Sequence, residues 1–143
     1  MNSDGSPWRP MVHALDSSRA VLTVLQADPE LVSGEVFNLG SNDQNYTVRE
    51  IAETVKEVYP ECDLSFGPPD DDQRSYRVKF DKIRDTLGFE TQWSLRRGAE
   101  QLREVFEKID LTPEMFQFAP FTRLKELKYL LRTDQVDNDL YWR

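Results

Sequence analysis

A chain of 143 residues has room for about one domain and cannot hold a cofactor domain and a substrate domain side by side. Its 38% hydrophobic share supports a modest core and argues against wholesale disorder, while 31% charged residues keep the surface wet. The formal net charge of -8 repels nucleic-acid phosphates and anionic lipid, so neither nucleic acid nor membrane is expected as a partner, and any phosphate ligand must be held by locally clustered arginines. Cys62 is the single cysteine and cannot form an internal disulfide, and no signal-like or long apolar run stands at either end. A reducing, cytoplasmic setting is the expectation.

In chain order, the first periodic segment follows Asp16, where Ala20, Val21, Val24 and Leu25 recur at helical spacing and predict a helix near 17–27 with Asp16 as its cap. Glu35 to Leu39, between Gly34 and Gly40, is short and carries β-branched and aromatic residues, which predicts a buried strand. A polar loop, 41–45, comes next. Thr47-Val48-Arg49-Glu50 is a capping-box pattern opening a helix whose apolar stripe is Val48, Ile51, Ala52, Val55 and Val58, and Pro60 prevents its continuation. Leu64 to Phe66 and Tyr76 to Phe80 read as short strands flanking an acidic loop over 67–72. A short helix runs from Asp81, as cap, to Leu87 and closes at Gly88. Ser94 caps a longer helix with Leu95, Ala99, Leu102, Val105, Phe106 and Ile109 on its inward face. Thr112-Pro113 and Thr122 start two further helices, the last presenting Leu124, Leu127, Leu130 and Leu131. The pattern is that of one small, mostly helical α/β domain with a few short strands.

Catalytic chemistry is hard to place on these residues. None of the six glycines forms Gly-x-x-Gly-x-x-Gly, the turn that lets backbone amides approach a dinucleotide pyrophosphate. No tyrosine is followed by lysine four residues later, the spacing that puts both on one helix face so that the cation lowers the phenol pKa. With His13 the only histidine and Cys62 the only thiol, a zinc cluster is excluded, and Cys62, just after an apolar helix, reads as inert packing. Asp70, Asp71 and Asp72 are consecutive and lack the alternating spacing of a calcium loop, which leaves Asp70 and Asp71 as a solvated turn. No metal and no catalytic residue is assigned.

Three segments carry a resemblance. Asp4 to Asp16 contains Gly5, Arg9, Pro10, an aliphatic pair, His13 and Asp16; Gly34-Glu35-Val36-Phe37-Asn38-Leu39-Gly40-Ser41 precedes the Thr47 helix; and Asp72-Gln73-Arg74-Ser75-Tyr76-Arg77-Val78 is followed by Asp81-Lys82-Ile83 and Leu87-Gly88-Phe89. In this order and spacing, over residues 4–109, they resemble the carboxy-terminal, substrate-binding portion of extended short-chain dehydrogenases/reductases, the NAD-dependent nucleotide-sugar epimerases and dehydratases. Residues 110–143 extend beyond the shared pattern as an extra helical segment.

The resemblance implies a chain without the Rossmann half, hence without its own cofactor site, NAD being expected in a complete parent enzyme, and without turnover alone. It implies a nucleotide-diphosphate sugar as ligand. Arg9 matches the arginine that contacts the diphosphate, a task suited to a guanidinium fork. Asp72 matches an aspartate that contacts ribose or sugar hydroxyls. Pro69 stands where the family often has a second arginine, so Arg74 either supplies that charge or pairs structurally with an acid. His13 reads as packed rather than reactive, Asn38 as ordering its own turn, and Asp16, Thr47, Asp81 and Ser94 as caps. The stripe from Phe116 to Leu131 reads as core or oligomer contact. In the family the first segment and its helix pack on the cofactor domain, so an uncovered apolar face is expected here, with self-association or a partner cofactor domain covering it. The rival reading is a stand-alone protein-interaction module derived from the same fold.

Overall fold

A computed structural model describes residues 3–68, 74–117 and 121–143. It divides into two compact units, residues 1–103 and 104–143.

The first unit is built on a two-stranded antiparallel sheet. Strand β1, Trp8–Pro10, pairs with β2, Asn45–Thr47, in the register Trp8 to Thr47, Arg9 to Tyr46 and Pro10 to Asn45. Backbone bonds from Met11 N–H to Gln44 O (2.8 Å), Val48 N–H to Pro7 O (2.9 Å) and Arg49 N–H to Gly5 O (3.0 Å) extend the pairing at both ends. Neither strand shows the β-branched run that announces a strand in sequence. Helices α1 (Ala14–Gln26), α2 (Pro29–Val32), α3 (Val48–Val58) and α4 (Asp81–Leu87) follow, and α5 (Leu95–Lys108) crosses from the first unit into the second.

The predicted helices form, with corrections at two caps. Helix α1 starts at 14 and its N-cap is His13, whose Nδ1 accepts from Leu15 N–H at 3.1 Å. Asp16 lies inside the first turn, fully buried, and has another partner altogether. Its carboxylate accepts from the backbone N–H of Gln92 (3.0 and 3.1 Å) and of Trp93 (3.0 Å), and from Arg19 Nη1 at 2.7 Å. A buried carboxylate satisfied by backbone donors and an arginine ties α1 to the loop that leads into α5. Asp81 likewise is the first helical residue of α4 rather than its cap, and accepts from Asn42 Nδ2 (2.6 Å) and Arg84 (3.1 Å). Thr47 and Glu50 form the full capping box on α3: Glu50 N–H donates to Thr47 Oγ1 and Thr47 N–H donates to Glu50 Oε2. Gly88 closes α4 in the left-handed region at φ 63°, and Ser94 Oγ accepts from Arg97 N–H at the start of α5.

Two predicted strands do not pair. Residues 35–39 form no strand, Val36 is 80% exposed, and no ladder forms there among the described residues. Asn38, instead of ordering its own turn, donates from Nδ2 to Lys79 O (3.3 Å). Within 76–80, Val78 and Phe80 take their hydrogen bonds from side chains near β2: Val78 N–H donates to Asn45 Oδ1 (2.8 Å), Asn45 Nδ2 donates to Val78 O (3.0 Å), and Phe80 N–H donates to Asn42 Oδ1 (2.8 Å). Each asparagine stands in for a strand neighbour, satisfying the backbone without a ladder. Leu64 to Phe66 also form no strand.

Ala20, Phe80, Ile83 and Phe89 make the core of this unit, with Phe37, Leu39, Val78 and Leu87 packed around it. Gly40 lies under Phe80 so closely that a Cβ would stand 2.7 Å from the ring. The inward face expected of α5 is largely open: Ala99 is buried, but Leu102 is exposed. Apolar side chains also stand out from α1 and α2, where Leu15, Val21, Leu22, Leu25 and Leu31 are exposed.

The second unit contains α6 (Pro113–Phe116), capped by Thr112, and α7 (Arg123–Arg132). The chain then closes on itself through an isolated bridge between Val136 and Trp142, with Val136 buried. Asp137 Oδ1 shapes this terminal turn by accepting from the N–H groups of Asp139 and Tyr141. Among the described residues no helix is long and apolar enough to cross a membrane.

Two predictions follow from these staples. Asp16→Ala strands two inward backbone N–H groups, and a urea titration is expected to show a loss of about 2–4 kcal/mol. For Glu50, hydrogen bonds from the Thr47 backbone and hydroxyl, with Arg77 nearby, hold the carboxyl below its ordinary 4.5. A depressed acid stabilises the fold above its unfolded pKa and loses that contribution as pH falls through the folded value. The gap in urea midpoint between parent and Glu50→Ala should therefore be full at pH 7 and close progressively on acidification below about pH 4.5.

Candidate functional site: arginines and aromatics beside the sheet

Beside β1 the chain returns at residues 74–77, held by Trp8 N–H to Ser75 Oγ (3.0 Å) and Tyr76 N–H to Trp8 O (3.4 Å). This brings two of the three sequence-predicted site residues together. Arg9 Nη1 donates to Trp8 O at 2.8 Å and to the carbonyl of Arg74. Its guanidinium also lies 5.6 Å from the Tyr76 ring centroid. Both hydrogen bonds leave from Nη1, and the edge formed by Nε and Nη2 makes none among the described residues. Asp72, the third residue, lies outside the described residues, as do Pro69, Asp70 and Asp71.

Two further arginines, to which no ligand role was assigned from the sequence, stack on aromatic rings near the sheet. Arg77 stacks over Trp8 at 4.2 Å, and Arg49 stacks over Phe66 at 4.0 Å while donating from Nη2 to Asp4 O (2.9 Å). Ring faces hold guanidinium groups in place while leaving their in-plane N–H donors usable. The acids nearby feel this charge. Asp4 is held below the usual carboxylate range, first by the Ser6 N–H and hydroxyl and also by Arg49, as Glu50 is by Thr47 and Arg77. On a chain of net charge -8, such a cluster is the local exception that an anionic ligand requires. The only sequence signal for Arg49 and Arg77 is their neighbourhood: one follows the Thr47 cap and the other sits one residue past Tyr76.

Elsewhere the candidate chemistry is occupied by structure. His13 stacks on Trp93 (4.1 Å between centroids, 9° between planes), and with Nδ1 accepting from Leu15 its Nε2 donates to Gln101 Oε1 at 2.8 Å. Cys62 is exposed, and its carbonyl accepts from Lys56 Nζ, which also donates to Pro60 O at 2.7 Å. Burial pushes the Tyr46 phenol above the usual tyrosine value, helped by the charges of Asp43 and Glu50 and opposed by a hydrogen bond from Leu95 N–H. A proton-abstracting tyrosine needs the reverse shift. Among the described residues no group of three or more His, Cys, Asp or Glu side chains is placed to hold a metal ion.

No protein-family model matches the chain. Over 55 residues it is 38% and 36% identical to UDP-D-apiose/UDP-D-xylose synthases 1 and 2 of Arabidopsis thaliana, a match covering 38% of this chain and 14% of each synthase. Among solved structures, UDP-glucose 4-epimerase of Thermotoga maritima superposes with a TM-score of 0.64 at 27% identity, over 78% of this chain and 35% of the epimerase. UDP-N-acetylglucosamine 4-epimerase from Bacillus cereus gives 0.64 at 23% identity, over 75% and 37%. L-threonine dehydrogenase from Phytophthora infestans shares the fold at 18% identity, with a TM-score of 0.63 over 76% and 36%. The chain thus spans little more than a third of these solved enzymes and matches a smaller share of the synthases, and it is similar to a part of the NAD-dependent nucleotide-sugar epimerases of the extended short-chain dehydrogenase/reductase type.

Proposed function

We propose that this chain provides the nucleotide-sugar-binding part of an NAD-dependent epimerase or dehydratase and does not turn over substrate by itself. The observation that carries the reading is the meeting of Arg9 with the 74–77 segment, where its guanidinium also faces the Tyr76 ring. Arg9 uses Nη1 to hold the loop, and the Nε–Nη2 edge is the bidentate fork that suits a phosphate. Arg74 would add charge beside it, and the Tyr76 ring would offer a stacking face to a base or sugar. Asp72 would contact ribose or sugar hydroxyls. The sequence lacks the glycine turn and the tyrosine–lysine pair, so cofactor binding and hydride chemistry belong, in this reading, to other residues of the parent enzyme. No cofactor is assigned to this chain.

A calorimetric titration of the chain with UDP-glucose, at low and moderate salt, tests the reading. Saturable binding that weakens with salt and falls roughly tenfold to a hundredfold in Arg9→Ala is expected, the range for losing a charge-assisted hydrogen bond. Absence of heat at millimolar ligand removes the reading for the isolated chain.

The second reading, a protein-interaction module, is favoured by the exposed apolar side chains of α1 and α2. The same face supports self-association, or docking of a cofactor domain. Sedimentation velocity should show a concentration-dependent dimer or larger species that Leu22→Glu with Leu25→Glu disperses. A monomer at all concentrations would leave this face without a self-association role.

A further inference from the structure

The register of the sheet decides which backbone groups of β1 look outward. In an antiparallel pair alternate residues face the partner strand. Val48 N–H donates to Pro7 O, Met11 N–H donates to Gln44 O, and Arg9 stands opposite Tyr46, so Trp8 and Pro10 turn their backbone groups to the other edge. Proline has no N–H, which leaves Trp8 N–H as the single outward donor of this three-residue strand.

A side chain 67 residues further along the sequence takes that donor: Trp8 N–H donates to Ser75 Oγ at 3.0 Å. The neighbouring backbone bond, from Tyr76 N–H to Trp8 O, is long at 3.4 Å and correspondingly weak. The Ser75 hydroxyl is therefore the better of the two anchors that set residues 75 and 76 against the β1 main chain. One residue earlier, the Arg74 carbonyl receives Arg9 Nη1, which also donates to Trp8 O. Trp8 links the two events, since its N–H holds Ser75 and its carbonyl helps to orient the Arg9 guanidinium.

We propose that Ser75 is a positioning residue of the arginine site: by accepting Trp8 N–H it places the Arg74 carbonyl where it holds Arg9 Nη1, and so aims the Nε–Nη2 edge at an incoming phosphate. The proposal rests on the nucleotide-sugar reading and adds to it a residue that acts through Arg9. An arginine side chain has many rotamers, and those not frozen by the chain must be frozen by the ligand, at a cost in affinity. Without the Ser75 acceptor, the Arg74 carbonyl is no longer pinned and one of the two bonds leaving Nη1 loses its fixed partner. The requirement is for an oxygen acceptor and not for a particular shape. Threonine supplies the same Oγ, valine has the shape of threonine without it, and Ser75 is exposed, so neither branched side chain has to enter a core.

The test compares the full chain with Ser75→Ala, Ser75→Val and Ser75→Thr by calorimetric titration with UDP-glucose and by NMR of the ligand-free, 15N-labelled proteins. Ser75→Ala and Ser75→Val should bind roughly threefold to tenfold more weakly than the parent, as loss of one neutral hydrogen bond gives, while Ser75→Thr should stay within about twofold of it. Without ligand, the Arg9 side-chain Nε–H resonance and the Trp8 amide should move in the Ala and Val variants and hold their parent positions in Ser75→Thr. Parent binding that Ser75→Ala and Ser75→Val leave unchanged overturns the positioning role and spares the nucleotide-sugar reading. Weaker binding with the Arg9 resonance unmoved would make the hydroxyl a direct ligand contact, and an unfolded spectrum for both variants would make it part of the fold; each also overturns the proposal. No binding by the parent at millimolar UDP-glucose removes the reading itself, and the proposal with it.

Discussion

The Asp16 carboxylate is the constraint on which the first unit depends. It is completely buried, and its oxygens receive the backbone N–H groups of Gln92 and Trp93 together with Arg19. A charge in that position is tolerable only because every partner is in place, and its burial fixes the distance between α1 and the 92–93 backbone. Much else follows from that fixed point. Trp93 is delivered to His13 for stacking, Arg97 closes over the other side of Trp93 at 4.1 Å and donates to Gln92 O, and Ser94 is left to cap α5. Arg19, from the same turn as Asp16, reaches Glu90 O and the Phe89 ring, so the residue that fills the core is held by the helix that the core supports.

Asparagines do for the other side of the unit what Asp16 does for this one. Asn42 and Asn45 hold residues 78–80 against β2 by pairing with backbone groups, and Asn42 also reaches Asp81 at the start of α4. An amide side chain carries both a donor and an acceptor, so it can replace a strand neighbour residue by residue without requiring the regular pleat. Phe80 is thereby placed over Gly40, where no side chain would fit, and the core is completed around it.

This explains which parts of the fold could be read from the sequence. Features whose cause is local were legible: the Thr47–Glu50 box, the Ser94 and Thr112 caps and the left-handed Gly88 all sit within four residues of what they stabilise. Asp16 was misread as a cap because its donors are 76 and 77 residues away, and a carboxylate before an apolar helix carries no mark of a distant partner. The segments 35–39 and 76–80 have strand composition, but composition cannot report whether a neighbour supplies a backbone or a side chain. The sheet that does form was silent for the opposite reason, since its three-residue strands contain Pro10 and Asn45. At the candidate site, Arg9 and Arg74 were legible only through motif resemblance and do come together, whereas the stacking of Arg49 on Phe66 and of Arg77 on Trp8 is something no spacing predicts.

The balance between polar staples and apolar burial has a functional consequence. Among the described residues eight hydrophobic side chains are buried, five of them alanine or valine in helices or at the terminal bridge, while twenty-two large ones are exposed. A chain with so small an interior draws its specificity from satisfied polar groups, and leaves on its surface more apolar area than a solitary domain needs. Nine of the exposed residues fall in two sets, Leu15, Val21, Leu22, Leu25 and Leu31 along α1 and α2, and Met11, Val12, Val55 and Leu102 around an apolar cleft between α3 and α5. Polar staples hold the backbone while apolar faces of the helices point outward, an arrangement that a self-sufficient core does not need. The arginine surface follows the same rule, because Arg9 fixes the 74–77 loop through Nη1 before any ligand arrives, so the geometry of its remaining donors is set by the chain itself.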